Sequence, residues 1–109
     1  GAAVQTGRIV ISAITLAELV YLIRKPTFAY PQALASLLVL LNDPTEPLEL
    51  FPVTADVALT MQSVPRAEVP ELPDRLVAAT AVTLNLPLVS ADSRIRSAAT
   101  LKSLIPVVW

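Results

Sequence analysis

The stretch that most constrains the fold runs from Leu72 to Asp92, LPDRLVAATAVTLNLPLVSAD. Pro73-Asp74 opens an alanine-rich apolar helix. Proline fits the first turn, where its missing N–H would have had no partner, and an acid there opposes the positive end of the helix dipole. Asn85-Leu86-Pro87 stops the helix. Leu88-Val89-Ser90 then makes a short strand, with Asp92 just past its end. One carboxylate is held at a helix start and a second is delivered at the carboxyl end of a strand. In an α/β sheet that is the end at which ligands bind.

The rest of the chain alternates in the same way. Ile9-Val10-Ile11-Ser12 is a continuous, β-branched run after Gly7-Arg8, suited to a strand buried on both faces. Thr15 starts a helix over Leu16 to Arg24, closed by Lys25-Pro26. Pro31 opens another, reaching about Leu41, with Asn42-Asp43-Pro44 as its stop. Pro47 to Val53 reads as a strand whose end Pro52 demotes to an edge. Thr54 begins a helix through about Ser63, and Pro65 to Pro73 is a proline-punctuated loop. A short helix covers roughly Ser93 to Thr100, and Ile105 to Trp109 is a terminal strand, with Trp109 an anchor in a core or an interface. The order β-α-α-β-α-α-β-α-β predicts an α/β fold, a parallel sheet covered by helices. Its 109 residues suit one domain, 1–109.

Composition narrows the chemistry. There is no cysteine and no histidine, which excludes disulfides, Cys/His zinc sites, Ser-His-Asp triads and histidine general bases. Carboxylates remain as metal ligands, and they suit hard cations such as Mg2+ and Mn2+. Net charge is -1, so any RNA contact depends on a local patch or a bound cation. Charged residues make up 16% against 54% hydrophobic, a low charge content that implies surface hidden against a partner. The longest apolar run, Leu37 to Leu41, falls far short of a membrane span, and with no secretory signal the expected location is cytoplasmic. The chain opens Gly-Ala-Ala, which reads as a piece whose natural start lies upstream.

Three acids stand where strand turns into helix or where a helix begins: Glu18, Asp74 and Asp92. Each has a plainer reading. Thr15-Leu16-Ala17-Glu18 has the form of a capping box. Asp74 sits at a helix start, and Asp92 can cap the helix holding Ile95. Taken together they converge, because a parallel sheet brings its strands' carboxyl ends to one edge. Carboxylates gathered there repel, and a divalent cation relieves the repulsion. Asp56 is a first-turn acid. Asp43, Glu46, Glu49, Glu68 and Glu71 read as solvated surface. Ser12 and Ser90, at strand ends, are candidates for orienting a ligand carboxylate or a water. Arg75, Arg94 and Arg96 are candidate phosphate contacts, although Arg75 can equally pair with Glu71 one turn away.

The segments ISAITLAEL, PVTADVA, LPDRLVAATA and PLVSAD resemble the PIN-domain nucleases, including the VapC-type toxins, from Ile9 to Trp109. The resemblance implies that Glu18, Asp74 and Asp92 are catalytic metal ligands for Mg2+ or Mn2+, with Ser90 behind them. The reaction it implies is metal-assisted hydrolysis of a phosphodiester in RNA. It also implies an antitoxin partner and a homo-oligomer. The family begins with a central strand bearing a further metal-site Asp. Only GAAVQTG precedes Arg8, so the expected fold is a three-layer α/β/α PIN-like domain lacking that strand, with RNA cleavage weak or absent. The gap between the strands of Ile9–Ser12 and Leu88–Ser90 can be closed by direct pairing, by the leader Ala2–Thr6, or by a second chain. The leader reads as too short to pair with its own continuation. The expectation is therefore an oligomer joined through the helices Leu16–Ile23 and Leu34–Leu41.

Two other functions compete. A degenerate PIN-like interaction module fits the low charge and the absent acid. A receiver-like phospho-acceptor would use Asp92, but it wants a lysine beside the acids, and Lys25 and Lys102 lie away from strand ends.

Overall fold

The computed structural model describes residues 2–5, 8–90 and 93–108, with side chains from Ile9 onward. Its strands are β1 (Ala2–Gln5), β2 (Arg8–Ser12), β3 (Leu48–Phe51), β4 (Leu88–Val89) and β5 (Val107–Val108), in one sheet of order β3-β2-β1-β4-β5. The helices are α1 (Ala13–Leu22), α2 (Ala33–Asn42), α3 (Ala55–Thr60, extended by a 3-10 turn over Met61–Ser63), α4 (Leu72–Leu84), α5 (Ser93–Ser97) and α6 (Ala99–Leu104). β2 pairs parallel with β3, and β4 with β5. β1 runs antiparallel to both β2 and β4. The four strands other than β1 therefore share one direction, and their carboxyl ends share one edge, as the alternating pattern predicts.

β1 corrects the expectation of a gap. Ala3 lies opposite Val10 on one side and Leu88 on the other, so the leader fills the slot between β2 and β4. The length argument against this fails for an antiparallel strand. Gln5 pairs with Arg8, and two intervening residues are enough for a hairpin connection. The sheet is mixed rather than wholly parallel, and unpaired strand edges no longer argue for an oligomer.

The outer strands are guarded by proline. Pro47 and Pro52 flank β3 and Pro106 precedes β5, which limits further pairing at either edge.

α4 is the structural centre. Its alanines allow close approach, and Val77, Ala78, Ala79, Thr80 and Ala81 are all buried. It ends on Asn85 in the left-handed region (φ 52°, ψ 47°), a conformation asparagine tolerates, and Leu86 N–H reaches back to the Ala81 carbonyl at 3.0 Å. That turn buries Leu86 and feeds β4. Around α4 the core gathers Val10, Val64, Val69, Leu88, Ile95, Leu101 and Ile105. Fully burying each such side chain contributes about 1.5–3 kcal/mol.

The expected helix over Ser93–Thr100 is two helices, divided at buried Ala98. α1 and α2 differ from α4. Each is strongly apolar, yet neither buries a single residue, and Tyr21 of α1 and Val39 of α2 are 63% and 70% exposed. No helix among the described residues is long and apolar enough to cross a membrane.

Candidate metal centre at the carboxyl edge of the sheet

Ser12 ends β2 and caps α1, its Oγ accepting the Ile14 N–H at 3.2 Å. The helix therefore begins before Thr15, which corrects the expected capping box. That arrangement needs its acid at the third helical residue, whereas Glu18 lies in the second turn of α1. With capping excluded, Glu18 needs another account. It is only partly exposed, and its carboxyl is held above the usual carboxylate range, first by burial and then by the negative charge of Asp74. Asp74 lies in the first turn of α4, the helix against which α1 packs. Two acids 56 residues apart thus stand close enough to feel each other's charge. One turn before Glu18, on the same face of α1, the buried Thr15 Oγ1 has no hydrogen-bond partner among the described residues.

Ser12 and Ser90 mark the same edge. Ala2 of β1 pairs with Ile11 on one side and Val89 on the other, so the two serines follow flanking rungs. Two strand spacings put their backbones about 10 Å apart. Both are buried, and Ser90 N–H is bonded to the Val108 carbonyl at 3.0 Å. The hydroxyl of Ser12 is engaged as a cap, so as an acceptor it serves α1 first. Asp92 lies outside the described residues, as does its expected capping role.

The donor chemistry fits a divalent cation. Glu18 and Asp74 offer hard oxygen ligands, and their mutual repulsion is of the kind a bound cation relieves. Among the described residues no three His, Cys, Asp or Glu side chains form a metal-holding group. β1, in the central slot, reads AAVQ and carries no acid.

The raised carboxyl of Glu18 has a consequence for stability. A folded-state value above the unfolded one means that the native state holds the proton more tightly. This contribution is fully present below about pH 4.5, the group's ordinary value, and is lost as pH rises through the folded value. Glu18→Gln should therefore raise the thermal midpoint at pH 7 in EDTA, with the advantage shrinking towards pH 4. Unfolding curves across that range check this, and equal midpoints at pH 7 would contradict it.

The arginines are placed differently from expectation. Arg75 does not pair with Glu71. Its Nε and Nη2 donate to the carbonyls of Val64 and Met61, each at 3.2 Å, closing the end of the 3-10 turn. Arg94 pairs with Glu71 at 3.8 Å, and Arg96 is exposed. Glu68 is not merely solvated surface. Its carboxylate accepts the Thr100 N–H at 2.9 Å, which holds it below its ordinary range, and it serves as a cap for α6, where Ala98 has no acceptor of its own. Asp43, also expected to be solvated surface, accepts from both the N–H and the hydroxyl of Thr45. Asp56 is the first-turn acid of α3, as expected.

Comparison with known proteins gives these placements a frame. The family model for the PIN domain matches residues 2–101. The chain belongs to the PIN-domain family. PIN domains generally use divalent metal ions, for which carboxylate oxygens are suitable donors. No curated protein matches the chain. Among solved structures it is similar to VapBC2 from Rickettsia felis bound to a DNA fragment from their promoter. The TM-score is 0.61 at 20% identity, over 90% of this chain and 71% of that one. At that identity the likeness speaks for the fold, and the fold is that of a PIN domain.

Proposed function

We propose that residues 1–109 form a single PIN domain of the VapC toxin type, a Mg2+- or Mn2+-dependent endoribonuclease acting in the cytoplasm. Glu18, Asp74 and Asp92 are its ligand set, and Ser12 and Ser90 support them. The observation that carries the reading is the packing of α1 on the start of α4, which brings Glu18 near enough to Asp74 for its carboxyl to be raised, in a chain where capping does not explain Glu18. A divalent cation there supplies an activated water and offsets charge on the phosphodiester. The protein's own part is to bring the carboxylates together at the carboxyl edge of the sheet, where a bound cation would favour their charged forms against burial and mutual repulsion. Arg96, exposed beyond β4, is the arginine best placed to meet a phosphate; Arg75 and Arg94 are first engaged within the fold.

RNA cleavage with Mg2+ or Mn2+ tests the reading. The expected result is slow, EDTA-sensitive cutting of single-stranded or looped RNA, slow because β1 brings no acid. Asp74→Asn should reduce it further by at least about a hundredfold, the scale on which loss of electrostatic transition-state stabilisation is felt. Cleavage that survives EDTA or Asp74→Asn would overturn it.

One observation favours a second reading, an interaction module. The apolar residues of α1 and α2 are open to solvent, a surface of the kind that binds another protein. The same surface supports an antitoxin partner or a second copy of this chain in the first reading. Light scattering at micromolar concentration should give a dimer or larger species; a stable monomer would remove the second copy.

A further inference from the structure

A hydroxyl side chain within a helix ordinarily gives its proton to the carbonyl three or four residues back. Thr80 of α4 does so, donating to the Leu76 carbonyl at 2.7 Å, and Ser97 and Ser103 do the same in α5 and α6. Among the described residues, the buried hydroxyls of Thr15 and Thr83 have no partner. Their settings differ. Thr83 lies in the last turn of α4, and a rotation about χ1 brings the carbonyls of the turn behind it within reach. Thr15 is the third residue of α1. Four back, Ile11 is in strand rather than helix; three back, the Ser12 carbonyl does not accept from it. A buried donor without an acceptor costs stability, and so calls for an account.

The surroundings of Thr15 supply one. Glu18 stands one turn further along α1, and side chains three apart on a helix are neighbours, about 5–6 Å apart at Cβ. The Glu18 carboxyl is partly buried and feels the charge of Asp74 where α1 packs on α4. Once charged, a carboxylate accepts at several lone-pair sites, and a cation occupies only some of them. An oxygen turned away from the cation is a natural acceptor for a neighbouring hydroxyl. We propose that Thr15 is a positioning residue of the metal site: its buried hydroxyl donates to the Glu18 carboxylate when a divalent cation holds that carboxylate charged, and so fixes how Glu18 meets the cation. Without metal the donor stands unused, and the protein carries its cost as preorganisation. This rests on the metal-site reading above.

Mn2+ titrations of the wild type, Thr15→Val, Thr15→Ser, Thr83→Val and Glu18→Gln test the proposal, with metal-free thermal midpoints measured alongside. Valine keeps the shape of threonine and deletes the hydroxyl; serine keeps the hydroxyl. Thr15→Val should weaken Mn2+ binding by about tenfold, the lower end of what outer partners of metal ligands contribute. Its metal-free midpoint should match or exceed that of the wild type, because the variant removes an unsatisfied donor. Thr15→Ser should bind Mn2+ like the wild type. Thr83→Val deletes the other orphaned hydroxyl, at the far end of α4 from Asp74, and should leave Mn2+ affinity unchanged. A merely structural hydroxyl gives the opposite pattern, a lowered metal-free midpoint in Thr15→Val with Mn2+ affinity intact, and that result overturns the positioning role. So does an equal loss of affinity in Thr15→Ser or in Thr83→Val. If Glu18→Gln loses the ion while Thr15→Val binds it like the wild type, the positioning role falls and the metal site stands. A wild type that takes up no Mn2+ overturns the metal site, and the positioning role with it.

Discussion

Ala3→Pro should lower the thermal midpoint by about 10–20 °C. Ala3 is paired on both sides, to Val10 of β2 and to Leu88 of β4. In a strand with two neighbours, a residue's N–H points into the sheet whichever neighbour accepts it. Proline removes that donor and sets its ring against the adjoining strand. The orphaned acceptor alone costs about 1–3 kcal/mol, and the steric clash adds to it. Small domains have only about 5–15 kcal/mol to lose, and each kcal/mol moves the midpoint by about 4–8 °C at this size. If the variant melts with the wild type, β1 does not belong to the sheet. The result matters for function because β1 holds β2 and β4 at their spacing, and with them Ser12 and Ser90 at the candidate site.

This strand was also the hardest element to read from the sequence. Ala2-Ala3-Val4-Gln5 shows neither the alternation nor the β-branched density that marks β2, and its strand is defined by backbone pairing to β2 and β4. Elements with strong local chemistry were legible: the proline-opened, asparagine-closed α4, the IVIS strand, Thr54 as the cap of α3, and the common carboxyl edge. The start of α1 was misplaced because both Ser12 and Thr15 are competent caps, and choosing between them needs the end of β2. With Ser12 as the cap, Glu18 lies in the second turn of α1 and has no capping role. That Glu18 feels the negative charge of Asp74 agrees with the common edge. The reach of Glu68 to Thr100 spans 32 residues, and its only trace in the sequence is the missing cap acceptor at Ala98. The helices Leu16–Ile23 and Leu34–Leu41 are expected from the sequence to meet another chain, and apolar residues of α1 and α2 are open to solvent, a distinction that periodicity alone does not make.

Mn2+ should stabilise the protein strongly, and the stabilisation should depend on Glu18 and Asp74 together. Ligand that binds only the native state at about a hundred times its Kd adds about 2.7 kcal/mol, or about 10–20 °C in the midpoint of a domain this size. Glu18→Gln and Asp74→Asn should each remove most of that shift. In EDTA, Glu18→Gln should melt no lower than the wild type, because the charge it deletes is one the fold holds against burial and against Asp74. Loss of the Mn2+ response without loss of metal-free stability would separate a ligand role from a structural one. A shift of equal size in Asp74→Asn would take Asp74 out of the site.

The most direct measurement is the map of amide signals broadened by substoichiometric Mn2+ in the NMR spectrum of the uniformly labelled protein. If the carboxyl edge holds the cation, broadening centres on the second turn of α1 around Glu18, the first turn of α4 around Asp74, and the residues between Ser90 and Ser93, and it disappears from all three together in Asp74→Asn. Broadening centred instead on the surface acids around Asp43 to Glu49, or none at any site, would contradict a shared metal site in this PIN domain.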